Sequence, residues 1–146
     1  MPPDVLEAPR LPALYRDIFR YAGLPLPPRS APGEQFVLRC GDQPPGLFAA
    51  LLEEAFVEDE AEVDVRQDGD PTGPVAIRPG FDSPCPFAEG LKRAAAPEGA
   101  PLLVFAVERR GPGGRLLGVT WAAVPEEEPA PDAPYTAAVA RHDSPA

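Results

Sequence analysis

Cys85 is the residue of this 146-residue chain best placed for nucleophilic or redox chemistry. It stands in Asp82-Ser83-Pro84-Cys85-Pro86-Phe87, at the expected start of a helix. A helix N-terminus carries partial positive charge and free N–H groups, which favour thiolate over thiol. The flanking prolines would hold the sulfur in place. The competing reading is a small residue near a helix cap, with Asp82 or Ser83 as the cap itself. No CxxC partner stands beside it. The other cysteine, Cys40, alternates with Phe36 and Leu38 and is expected in the core.

The remaining catalytic inventory is thin. The one histidine, His142, falls in a C-terminal stretch expected to be a flexible tail. That disfavours Ser-His-Asp and Cys-His catalysis and histidine-rich metal sites. No serine or threonine sits in a nucleophile-elbow sequence. The one lysine, Lys92, neighbours Arg93 on an expected solvated helix face, not the apolar pocket a Schiff-base lysine requires. Asp64, Asp68 and Asp70 precede Gly73 at alternating spacings, but the central glycine and closing glutamate of an EF-hand are absent. They read as an acidic turn, and no metal site is assigned.

Gly111, Gly113 and Gly114 in RGPGGR lack the Gly-Lys-Ser/Thr ending of a phosphate loop and read as a hairpin turn. Arg109, Arg110 and Arg115 around it form the one compact basic spot of the chain. They are a candidate anion site, or else charges that blunt a hairpin tip. No cofactor is expected. Trp121, between Val119 and Ala123 on a strand pattern, is expected in the core.

Charge is concentrated. The formal net charge is −10, and residues 53–64 (EEAFVEDEAEVD) carry seven acids and no base. Residues 125–146 carry five acids and one arginine. Neither stretch suits nucleic acid or an anionic membrane surface. A basic protein surface is the complementary partner. The residues that would meet it are Glu53, Glu54, Glu58, Asp59 and Glu60. The plainer reading is a solvated face that keeps the protein in solution. Two cysteines, no signal-peptide pattern in MPPDVLEAPR, no membrane-length apolar run and no Asn for glycosylation lead to the expectation of a cytoplasmic protein.

The elements that must position these groups follow from periodicity and breakers. Proline is abundant, 23 residues, about three times ordinary usage. Residues 1–10 read as a flexible lead. Leu11, Leu14, Tyr15, Ile18, Phe19 and Ala22 make one helical face, with Pro12 at its start and Gly23 at its stop. A proline-rich connector, 24–33, follows. A strand is expected over 34–40, then a helix whose apolar face is Leu47, Phe48, Leu51, Leu52, Ala55 and Phe56. Short strands over 62–66 and at Val75 and Ile77 flank the turn signal DGDPTG. A short helix is expected over 86–96. The apolar runs 102–109 and 116–124 make a long hairpin covered on both faces. The body would end at 124, followed by an acidic proline-rich tail, 125–146, with a short edge strand over 135–140.

This order implies an α+β protein with one domain over 11–124, a mainly antiparallel sheet and two to three helices packed on one face. Val63, Val65, Val75 and Ile77 would meet Leu103, Phe105 or Trp121 in the core. The leading functional expectation is a non-enzymatic protein-binding module: an inhibitor, immunity protein, chaperone or accessory subunit. The alternatives are a small enzyme or redox sensor using Cys85, and a domain that binds a small ligand between sheet and helices.

Overall fold

A computed structural model of the chain describes residues 4–24, 32–41, 43–44, 46–50, 53, 65–67, 75–81, 88–96, 101–125 and 134–143. In chain order the elements are β1 (Asp4–Ala8), α1 (Leu11–Tyr21), β2 (Gln35–Arg39), a helix α2 described over 46–50 and at 53, β3 (Val65–Gln67), β4 (Val75–Arg78), α3 (Ala88–Ala95), β5 (Leu102–Arg110), β6 (Leu116–Pro125) and β7 (Tyr135–Asp143). The strands form one sheet in the order β1-β7-β6-β5-β2-β4-β3. The first four neighbouring pairs are antiparallel, and β4 runs parallel to both β2 and β3. The protein is therefore α+β with a mainly antiparallel sheet. Among the described residues no helix is long and apolar enough to cross a membrane.

The pleat sorts side chains onto two faces. On the first, α1 and α2 seat Leu14, Tyr15, Ile18, Phe19 and Phe48 against Phe36, Leu38, Val75, Ile77, Phe105, Ala122 and Val139. Tyr15, Phe48 and Phe105 form its aromatic centre, with Phe105 stacked on Tyr15 at 5.6 Å between ring centroids. On the second face α3 packs Leu91 against Ala106, Trp121, Ala123 and Ala138. Two helices thus share one face and the third takes the other. Trp121 is core as expected, but it lies on the α3 face, in register with Ala106, and not with Val75, Ile77 and Phe105.

α1 ends as its sequence dictates. Gly23 takes φ 86°, and its N–H donates to the Arg20 carbonyl while Leu24 N–H donates to that of Phe19. These two bonds satisfy helix carbonyls that would otherwise lack partners, and buried Leu24 closes the motif against the core.

Three expectations are corrected. Residues 4–8, placed in a flexible lead, form β1 on β7. The stretch 135–140, expected as an edge strand beyond a body ending at 124, is part of β7, which lies inside the sheet between β1 and β6. Ala137, Ala138 and Val139 are fully buried there because both faces of the strand are covered. Leu47, assigned to the inward face of α2, is 57% exposed, while Phe48 is fully buried. Adjacent helical residues point about 100° apart, and the inward stripe centres on Phe48 and Ala49. β3 and β4, the strands on either side of DGDPTG, run parallel to each other. The link between them, including Asp68, Asp70 and Gly73, lies outside the described residues, as does Asp64.

Candidate functional site

The sheet face opposite α1 holds a carboxylate inside an apolar strand. Glu108 lies on β5 between Ala106 and Arg110 and is only 3% exposed. A buried carboxylate needs charged or hydrogen-bonding partners to offset lost hydration. Arg110 provides them through its Nε at 3.1 Å and Nη2 at 2.8 Å, both to Glu108 Oε1. Arg39 of β2 adds a longer contact from Nε at 3.5 Å. Arg110 also donates from Nη1 to the Gly114 carbonyl at 3.0 Å, which ties the ion pair to the hairpin tip.

Arg39 and Arg78 are the last residues of the parallel strands β2 and β4, and they stand side by side in register. By alternation both lie on the Glu108 face. Arg78 is half-buried, and its guanidinium has no hydrogen bond or ion pair among the described residues. Its carbonyl accepts from Cys40 N–H at 3.1 Å and from the Cys40 thiol at 3.3 Å.

Just beyond these strand ends the backbone closes through a bridge between Gly41 and Gly80, and Phe81 folds back over it. A Cβ on Gly41 would stand 2.7 Å from Phe81 Cζ and 2.9 Å from the Val104 carbonyl oxygen, and φ there is 59°. The site therefore requires glycine. The 40% exposed Phe81 ring tilts against Trp121, centroids 5.3 Å apart. Trp121 is itself buried, and its Nε1–H has no hydrogen-bond partner among the described residues. Gln43, two residues past Gly41, is also buried, and both its side-chain amide atoms lack a hydrogen-bond partner among the described residues.

The anticipated site residues are distributed differently. Arg109, Arg110 and Arg115 do not converge. Arg109 pairs with Phe36 and so points to the α1 face, where its Nε is buried without a hydrogen-bond partner. Arg110 is committed to Glu108 on the other face, and Arg115 is exposed beyond the 3₁₀ turn Pro112–Gly114. Strand alternation separates neighbours that look clustered in sequence. Of the acidic candidates, Glu53 is exposed on α2, whereas Glu54, Glu58, Asp59 and Glu60 lie outside the described residues, as does Cys85. His142 sits on β7 and not in a tail, exposed and in register with Val119. Lys92 and Arg93 are exposed on α3.

Cys40 is fully buried, and burial pushes its thiol above the usual value. Among the described residues no group of three or more His, Cys, Asp and Glu side chains could hold a metal ion. Sequence reasoning missed Arg39, Arg78 and Glu108. The available signal was an acid within LLVFAVERR, a strand covered on both faces, because such a charge must have a partner.

Fold and site together define an α+β protein with a buried guanidinium–carboxylate cluster spanning β2 and β5. Comparison of the chain with protein-family models, curated proteins and solved structures finds no match.

Proposed function

We propose that this chain is a non-enzymatic protein-binding module, an inhibitor, immunity protein, chaperone or accessory subunit, acting in the cytoplasm. It engages a basic partner surface through the acidic segment 53–64. The observation that supports this reading is the two-sidedness of α2. Phe48 and Ala49 are buried, while Leu47, Ala50 and Glu53, spaced three apart, are exposed. One side of the helix is seated in the core, and the other presents a leucine that leads into the acidic run. An apolar anchor bordered by charge is the usual anatomy of a protein interface.

The test is capture by the tagged protein at low salt, comparing wild type with the variant Glu53→Gln, Glu54→Gln, Glu58→Gln, Asp59→Asn and Glu60→Gln. A stoichiometric partner that is lost from the variant is the expected result. Unchanged capture would refute the acidic-surface reading.

A further inference from the structure

We infer that the carboxyl ends of β2 and β4 form a binding site for an oxyanion carried on a flat apolar group, with Arg78 as its anchor and Phe81 as its platform. The inference rests on residues other than those of the acidic surface and goes beyond protein binding. Arg39, Arg78 and Arg110 share a face with Glu108, the one carboxylate on β2, β4 and β5. That carboxylate is engaged by Arg110 and Arg39. Arg78 is left half-buried, beside a like charge and without an ion-pair partner among the described residues. Adjacent cations in a partly desolvated setting repel, and an anion placed on Arg78 relieves both. A guanidinium offers its planar fork of N–H donors to carboxylate or phosphate, the two oxyanions whose geometry it matches.

Ligands of sheets containing parallel strands gather outside the carboxyl ends of those strands, where the strand order changes direction. β2 and β4 are the parallel pair that ends here, side by side at Arg39 and Arg78. Both arginines are terminal residues of their strands there. Phe81 follows Arg78 by three residues and exposes its ring at that end, backed by Trp121. Trp121 Nε1–H, on the ring that backs Phe81, is buried with no hydrogen-bond partner among the described residues. Buried polar atoms without partners mark places where a bound group completes the structure. A flat ring on Phe81 with its anion toward Arg78 uses both features at once.

The chain has one tryptophan, so indole fluorescence reports this site directly. The folded protein is titrated with benzoate, phenyl phosphate, inorganic phosphate and uncharged benzamide. Saturable fluorescence changes are expected with benzoate or phenyl phosphate, and whichever of the two binds more tightly assigns the anion as carboxylate or phosphate. Arg78→Gln should weaken that ligand about ten-fold or more, and Arg78→Lys by less. Phe81→Ala, at an exposed position, should weaken the ring-bearing anion while leaving inorganic phosphate unchanged. That variant also decides the question should Arg78→Gln not fold. Benzamide binding as tightly as benzoate, unchanged affinity in Arg78→Gln or in Phe81→Ala, or no saturable signal from any anion would each overturn the inference.

Discussion

Burial governs the titration of several side chains, and each makes a measurable difference. Cys40 is enclosed by the core, its thiol pushed up by desolvation and donating to the Arg78 carbonyl. In a Cys85→Ser variant no thiol reagent should label the native protein, and labelling should appear only with unfolding. Labelling at the rate of a free thiol would show that Cys40 is accessible. Tyr15 and Tyr21 are both pushed up to about 12, Tyr15 by burial, Tyr21 by burial and then by its 2.7 Å hydrogen bond to Asp4. Each phenol is neutral in the fold, so its contribution is complete below pH 10, its ordinary value, and is lost as pH rises through 12. Urea unfolding should show stability falling across that window, with Tyr15 responsible for roughly 2–3 kcal/mol. Tyr15→Phe should flatten the slope more than Tyr21→Phe, because Tyr21 is more exposed to solvent screening. Glu108 gives a third outcome. Its replacement by Ala leaves Arg39 and Arg110, at 18% and 19% side-chain exposure, without their shared carboxylate. Stability measured in urea should drop by about 3 kcal/mol. At this scale the sequence disclosed burial for Cys40 and Trp121, because apolar alternation marks a core position. It did not disclose the cluster, because Arg39, Arg78 and Glu108 come from three strands whose adjacency no local pattern encodes.

α1 and α2 were legible because each carries a stripe at period 3.6. α1 matches that stripe from Pro12 to Gly23. α2 was read from the same period, yet the period locates a stripe only to within a residue. It placed Leu47 inward, whereas Phe48 fills the aromatic centre beside Tyr15 and Phe105. The two neighbours should therefore behave oppositely on truncation. Phe48→Ala should cost about 3–5 kcal/mol in urea unfolding, as a large core deletion does. Leu47→Ala should stay within about 0.5 kcal/mol. The same Leu47→Ala change should weaken partner binding if Leu47 is the apolar anchor of the interface.

Across the whole molecule, the long hairpin of β5 and β6 was predictable from two apolar runs around RGPGGR, and the structure pairs them from Leu102 with Pro125 to Arg110 with Leu116. Three features of the sheet were not. Strand direction has no signature in a two-residue alternation, so the parallel pairing of β3 with β4 was invisible behind a turn signal. β7 joins the sheet between β1 and β6 through small residues, Ala137, Ala138 and Ala140, which carry little hydropathy of their own and are buried because helices cover both faces. α3 takes the second face because Trp121 and the alanines around it leave an apolar surface there.

The outward side of α2, with the acidic run that begins there, is the surface proposed to meet a partner. The most direct test is the association rate of the captured partner, measured against ionic strength for the wild type and for the variant neutralised at Glu53, Glu54, Glu58, Asp59 and Glu60. A steered encounter predicts a wild-type rate that falls steeply as salt rises and a variant rate that is low and nearly salt-independent. Wild-type and variant rates that coincide at every salt concentration would contradict the account.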